Sequence, residues 1–358
     1  MPRGHVRRPI GLVVLLALCT AGAAAAAGAV GKGHDSERRA TPASFAEAFS
    51  DARGGDTIVL ASGDYGTFKG GRKSSTVTIR SAPGARVRME LQLHGASHLR
   101  LQGLTIAGAD ISGDTHDVTV ARSRFTGSAD VDATEMAGAD ILFDRDVFSG
   151  INVCSTCHEG RLTVHARREG NRPVGVTVQN SLFNGGGNSD GIQVGGYGVR
   201  ILHNEFTGIH QIDDTHTDAI QLYGQSHTVV RGNYIHDAAS GIMAPDGTNH
   251  EIIENNVIRT DGSPRSITMG SDVGSIVRRN TLPTGSCWYH QRCGTLFVGS
   301  GNSGAPSRDT IVEDNLLGGL SIGEGSRLAV KRGNLIGSAA KGRHSGVGAP
   351  LGVGRAKG

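Results

Sequence analysis

One short phrase recurs along most of this chain, and it leaves few architectures open. Two or three β-branched or aliphatic residues are followed by a polar pair, an Asn, and then an aliphatic or aromatic residue two positions later. It reads Val199-Arg200-Ile201-Leu202-His203-Asn204-Glu205-Phe206, then Val229-Val230-Arg231-Gly232-Asn233-Tyr234-Ile235, then Ile252-Ile253-Glu254-Asn255-Asn256-Val257-Ile258. Further copies centre on Asn280, Asn315 and Asn334, and looser ones on Ile106, Phe125, Phe148 and Phe183. From Asn204 to Asn334 the steps are 29, 23, 24, 35 and 19 residues, a recurrence that marks a solenoid. Each period also holds a second strand phrase, such as Gly191-Ile192-Gln193-Val194, Ala219-Ile220-Gln221-Leu222 or Thr295-Leu296-Phe297-Val298. No helical segment recurs and leucine-rich spacing is absent, so several short strands per coil imply a β-helix. The recurring Asn is read as structural, because Asn tolerates the left-handed turn conformation and its side chain bonds to local backbone.

Composition agrees with an all-β chain of many tight turns: 55 of 358 residues are Gly and aromatics are only 4%. The start reads as a secretory signal over residues 1–27, with Arg3, Arg7 and Arg8, an apolar run from Ile10 to Leu18, and a small-residue cleavage region at Ala25-Ala26-Ala27. Pro9 and Gly11 fit a twin-arginine signal poorly, and Leu18 before Cys19 is too large for lipoprotein processing. A secreted, extracellular protein is expected. The formal charge of +3 is carried by those three arginines, so the remainder is balanced and nothing points to nucleic acid. No second long apolar segment suggests a membrane span.

Thr41-Pro42 followed by Ser44 to Arg53 predicts a helix, with Thr41 as cap, Pro42 in the first turn, and Phe45, Ala48, Phe49 and Ala52 on one face. A Gly54-Gly55-Asp56 turn, the strand Thr57-Ile58-Val59-Leu60 and a Gly63-Asp64-Tyr65 turn follow. This order resembles the start of secreted right-handed parallel β-helix proteins, in which a helix covers the open end of the stack. The expected fold is therefore a single right-handed parallel β-helix of about ten coils over residues 41–337, with a short N-terminal capping helix. Ser149 to Pro173 and Pro283 to Arg308 are read as loops leaving the stack, and residues 338–358 as a disordered tail.

The stretch most suggestive of chemistry runs from Asn188 to Tyr223. It contains Asn188-Ser189-Asp190-Gly191-Ile192-Gln193-Val194 and a near copy, His216-Thr217-Asp218-Ala219-Ile220-Gln221-Leu222. On adjacent rungs, about 4.8 Å apart, Asp190 would stack on Asp218 and Gln193 on Gln221. Alternation sends Ile192, Val194, Ile220 and Leu222 inwards and the glutamines outwards. The two aspartates fall at turns, where they are expected to escape burial, because a buried carboxylate without a partner is costly. The inferred outer patch is Asp190, Gln193, Asp213, Asp214, His216, Asp218, Gln221 and Tyr223, with His210, His236 and Arg265 on its margins. The competing reading is a solvated polar face with no role.

From Thr41 to Gly337 the chain resembles the pectate lyase-like β-helix superfamily, whose members cleave or epimerise acidic polysaccharides. Asn188-Ser189-Asp190 is similar to the first catalytic motif of polygalacturonases, although the following rungs offer Thr217-Asp218 and Ser240-Gly241 where Asp-Asp and His-Gly are expected. The resemblance implies an extracellular polysaccharide as partner. Lyase chemistry on a uronate chain needs a base and a neutraliser of the carboxylate. His216 is the candidate base, with Asp218 and Asp190 orienting it and Arg265 neutralising. Gln193, Gln221, Tyr223 and His236 are candidate sugar contacts, and Asp213, Asp214 and Asp218 an oxygen-rich set for calcium. The alternatives are hydrolysis by the Asp190/Asp218 pair and carbohydrate binding without catalysis. A monomer is expected.

Cys154, Cys157, Cys287 and Cys293 remain after the leader, and disulfides are their default in an exported chain, the two local pairs being the simplest of three pairings. Cys154-Ser155-Thr156-Cys157-His158 also matches a haem attachment motif, but Glu159-Gly160-Arg161 offers no apolar wall, and haem there is set aside. Zinc on these cysteines with His158 or His165 ranks lower still, lacking a full ligand set.

Overall fold

The computed structural model describes residues 36–136, 139–149, 160–166, 175–211, 216–287 and 291–337. The expected signal, the tail, the Cys154/Cys157/His158 motif, and Asp213 and Asp214 lie outside the described residues.

Each coil contributes strands to three faces. The first face carries thirteen strands among the described residues, from Glu37–Ala40 to Arg327–Arg332, and neighbours pair in parallel. The second is built from short strands such as Phe183's Leu182–Phe183 and Glu205–Phe206. The third holds longer ones, among them Asp190–Tyr197, Asp218–Ser226, Ser240–Ala244 and Arg265–Gly270. Among the described residues no helix is long and apolar enough to cross a membrane.

The register turns sequence repetition into packed rows. On the first face Val230, Ile253, Val277 and Val312 stack in order and are fully buried. On the second, Phe125, Phe148, Phe183 and Phe206 form a run of parallel rings with centroids 4.5, 4.5 and 4.7 Å apart. That spacing is the rung spacing itself, so the rings pack without disturbing the strands. Ile235 and Ile258 continue the row.

The asparagines form a buried ladder, as a structural role requires. Each bonds mainly to the next rung rather than to its own turn. Asn233 N and Nδ2 both donate to Asn256 Oδ1, at 2.9 and 3.0 Å, while Asn233 Nδ2 also reaches the Ile201 carbonyl at 3.0 Å. The pattern repeats from Asn204 to Asn334. The left-handed position is the residue before each Asn, occupied by His203, Asn255, Arg279, Asp314, Gly232 and Gly333. In earlier coils Ser123, Asp146 and Ser181 take the ladder position.

Two expectations change. The helix spans Phe45–Asp51, beginning later than Thr41-Pro42 suggested. Thr41 and Ser44 close a turn on each other instead, Ser44 N donating to Thr41 O at 3.1 Å and Thr41 N to Ser44 Oγ at 3.0 Å. Lys73 Nζ caps the far end, on the carbonyls of Phe49 and Ala52 at 2.6 and 2.9 Å, where a cation suits the helix dipole. Part of the supposed Ser149–Pro173 loop is also a rung: Gly160–Ala166 pairs with Ala129–Ala133 on one side and Asp190–Tyr197 on the other. In the Pro283–Arg308 stretch, Cys287 and Cys293 are joined by a disulfide.

Candidate functional site

The third face brings the two copied phrases together as their register requires. Ile192, Ile220, Ile242 and Ile267 stack in the core, while Gln193, Gln221, Met243 and Thr268 share one column of the other side. Gly191 fits only because it lacks a side chain, since a Cβ there would stand 2.4 Å from the Ala219 carbonyl and 2.8 Å from the Phe206 ring.

Asp190 leaves strict alternation, as a residue at a turn can, and sits with Gln193. Its Oδ1 accepts the Asp218 backbone N–H at 2.7 Å, and its Oδ2 accepts Gln193 Nε2 at 3.0 Å. The patch is nevertheless not a solvated face. Asp190, Gln193, Asp218 and Gln221 are 5%, 7%, 0% and 1% exposed. Asp218 is fully enclosed, contrary to the expectation that it would escape burial, and the Ser240 hydroxyl of the next rung is its hydrogen-bonding neighbour. Gln221 Oε1, farther along the same strand, is buried without a partner. Burial, and then the Asp190 charge, push the Asp218 carboxyl well above its ordinary range. Burial raises Asp190 too, opposed by the Asp218 N–H, the Gln193 amide, His216 and Arg161.

His216 stands at the water side of this pair. Its side chain is 70% exposed and its Nε2 lies 3.6 Å from Asp218 Oδ2. Tyr223 follows on the same strand, in register with Gly195, and is exposed. Partial burial and the carboxylates of Asp190, Asp218 and Asp246 push its phenol up to about 12. It therefore keeps its proton at neutral pH.

The remaining candidates are placed apart. His236 belongs to the second face, where its Nε2 meets Glu205 Oε1 at 3.0 Å and its ring stacks on Tyr234. It does not join the Asp190/Asp218 group. His210 is held between Asp237 at 2.9 Å and Asp261 at 3.8 Å. Arg265 opens the rung after Ser240 and lies over the Phe297 ring at 4.0 Å. It is two rungs from Asp218, about 10 Å by strand spacing, so it does not touch the pair.

Arg161 was not anticipated. Fully buried, its guanidinium donates to the carbonyls of Asn184, Gly185, Gly186, Ser189 and Asp190, and so holds the turn that delivers Asp190. Burial lowers it to about 10, against the pull of Asp190. The signal was present in the alternation of Gly160-Arg161-Leu162-Thr163-Val164, which matches Asp190-Gly191-Ile192-Gln193-Val194.

Residues 162–336 match the family model described as right handed beta helix region. No curated protein matches the sequence. Among solved structures, the chain is similar to the PL6 family alginate lyase AlyGC at 13% identity and a TM-score of 0.45, over 89% of this chain and 57% of that one. It is also similar to a PL6 alginate lyase in complex with a trisaccharide, at 13% identity and 0.46 over 84% and 86%, and to pectate lyase Pel9A, at 13% and 0.35 over 88% and 81%. The chain thus spans 57% of the length of AlyGC. Thirteen parallel strands on one face of three-sided coils, together with the family match over residues 162–336, give this chain a right-handed parallel β-helix fold.

Proposed function

We propose that this protein is a secreted polysaccharide lyase acting on a uronate-containing chain. One observation carries the reading: an exposed imidazole, His216, stands 3.6 Å from a buried carboxyl, Asp218. With Asp218 at Nε2, Nδ1 is left to take the proton next to the uronate carboxylate. The electron pair released forms a double bond in the sugar ring and expels the glycosidic oxygen, which needs a proton. The Tyr223 phenol, protonated and exposed on the strand that follows His216, would supply it. Arg265 over Phe297 offers a cation beside an aromatic ring, suited to the carboxylate and apolar face of a neighbouring sugar.

A hard cation fits the donor set. The buried side chains on the Asp218 strand and the adjacent rungs, Asp190, Gln221 and Ser240, all offer oxygens, the ligation that calcium takes. Asp190, Asp218, Gln221 and Ser240 would hold it, and it would relieve the cost of two buried acids. Burial also favours elimination over hydrolysis by Asp190 and Asp218, because a hydrolase acid must touch the glycosidic oxygen, and Asp218 is 0% exposed.

The test is ultraviolet absorbance of the unsaturated product, with the purified mature protein on pectate, alginate and glycosaminoglycans, in calcium and in chelator. The reading expects a rise on one substrate that His216→Ala abolishes. The variant's melting temperature should stay within a degree or two, since an exposed side chain contributes little to stability. Chelation is expected to remove the activity. Reducing ends without an absorbance rise would refute elimination, and a loss of fold in His216→Ala would reassign that residue to structure.

A further inference from the structure

The structure assigns a second, imidazole-rich metal site to the chain, built from His98, His116 and Asp117 and suited to zinc or a similar transition metal rather than calcium. It does not depend on the lyase reading. The strands Ser97–Gln102 and His116–Ala121 are neighbours on the first face, with Ser97 paired to His116 and Leu99 to Val118. That register sets His98 level with Asp117, and His98 Nδ1 lies 3.2 Å from Asp117 Oδ2. The two imidazoles meet edge to face, with centroids 5.8 Å apart. One ring nitrogen from each and one Asp117 oxygen all lie within 4.8 Å of one another. Ligands bound at about 2.0–2.2 Å to one zinc ion stand somewhat closer than that, a gap that small side-chain rotations close.

The surroundings match those of a metal-binding imidazole. His116 Nδ1 lies 3.0 Å from the Asp114 carbonyl oxygen. A carbonyl only accepts, so Nδ1 carries the proton and Nε2 presents its lone pair, the outer-shell arrangement that fixes a ligating histidine. The Asp114 carboxylate is engaged by Arg72 at 3.1 Å. All three ligands are partly exposed, His98 and Asp117 at 31% and 41% and His116 at 29%, so an ion can enter and a water can complete the set. Two imidazoles and one carboxylate prefer zinc, copper or nickel over calcium. The group formed by His210, Asp237 and Asp261 has one imidazole with each nitrogen directed at a carboxylate, which makes an ion-pair clamp rather than a donor set. The proposed site lies two to three rungs from the Asp190 coil, about 10–14 Å along the axis, and ties two rungs of the first face together.

The experiment is titration of chelator-treated, full-length protein with Zn2+ by calorimetry, with Co2+ as a visible-absorption probe. One saturable equivalent is expected, with a rise in Tm on binding. His98→Gln and His116→Gln should each weaken it at least ~100-fold, beyond the usual cost of losing an outer-shell partner, and His210→Gln should leave it unchanged. Asp117→Asn, nearly the same shape, should weaken it too, with an unaltered circular dichroism spectrum and metal-free Tm. Absence of saturable binding would overturn the assignment. So would binding that survives the His98→Gln/His116→Gln double variant, which would place the ion elsewhere among the 15 histidines or the cysteines.

Discussion

Glu251→Gln should make the protein more stable in mild alkali and slightly less stable in acid. Glu251 sits at the corner before Ile252–Glu254, fully buried, with Oε2 accepting the Thr228 N–H at 2.6 Å and Oε1 without a partner. Burial, opposed by the Thr228 and Asn249 N–H groups and the Thr228 hydroxyl and aided by the Asp272 charge, pushes its carboxyl from 4.5 to about 8. The folded protein therefore binds a proton that the unfolded chain releases between those values. The stability this proton contributes is fully present below pH 4.5 and is lost as pH rises through about 8. At ~1.4 kcal/mol per unit, that window is worth about 5 kcal/mol. Gln keeps an oxygen for Thr228 but leaves its amide nitrogen where Oε1 had no partner, at a cost of about 1 kcal/mol. The variant should thus be about 1 kcal/mol less stable near pH 4 and roughly 3–4 kcal/mol more stable near pH 9. Urea denaturation of both proteins across pH, in chelator, reads the difference directly, and carboxyls common to both cancel. A difference that does not change sign between pH 4 and 9 would refute the argument.

Two further outcomes concern the ladder. Asn256→Ala removes the acceptor for Asn233 N and Nδ2 and the donor to the Val230 carbonyl, all buried, and should cost about 3–6 kcal/mol. Asn334→Ala, at the partly exposed last rung, should cost less than half of that, and equal losses in urea midpoints would show that the ladder is not additive. Asp146→Asn should stabilise the protein at neutral pH by about 1 kcal/mol, because Asp146 holds the ladder position with its Oδ2 unpartnered and its carboxyl raised by burial. The gain should fade in acid, where Asp146 is protonated, and a gain equal at pH 4 and pH 8 would contradict it.

The fold was readable because the information that sets it is local and repeated. Val230, Ile253, Val277 and Val312 announce an inward row by sequence alone, and Asn256 announces a corner. The helix was visible in Phe45 and Phe49, but its start was not, because Thr41 and Ser44 bond to each other and not to the helix N-terminus. The left-handed residue was misplaced by one, because any of His203, Asn255 or Arg279 accepts that conformation while the ladder demands Asn beside it. The site was half visible. Stacking of Gln193 on Gln221 follows from the copied phrase. Their burial does not, since alternation sends them to the outer side of the third face. His236 was assigned to the patch by chain proximity, yet its strand Tyr234–Ala238 turns it to the second face.

Burial alone does not mark Asp218 for function, because this β-helix buries several acids. Asp272 takes hydrogen bonds from Thr248, Ser275 and Thr310, so its charge is dispersed over neighbouring rungs. Glu254 is bracketed by Arg231 and Arg278. Asp146 and Glu251 each keep one oxygen on a ladder N–H. Asp218 instead has neither a backbone N–H nor an arginine on its oxygens, and its neighbours are the Ser240 hydroxyl and His216. A purely structural acid would gain from any of the hydroxyl or N–H donors that the ladders supply elsewhere. A buried carboxyl with so few donors is costly to ionise. His216, 3.6 Å from it and open to water, is the group through which that carboxyl meets the solvent.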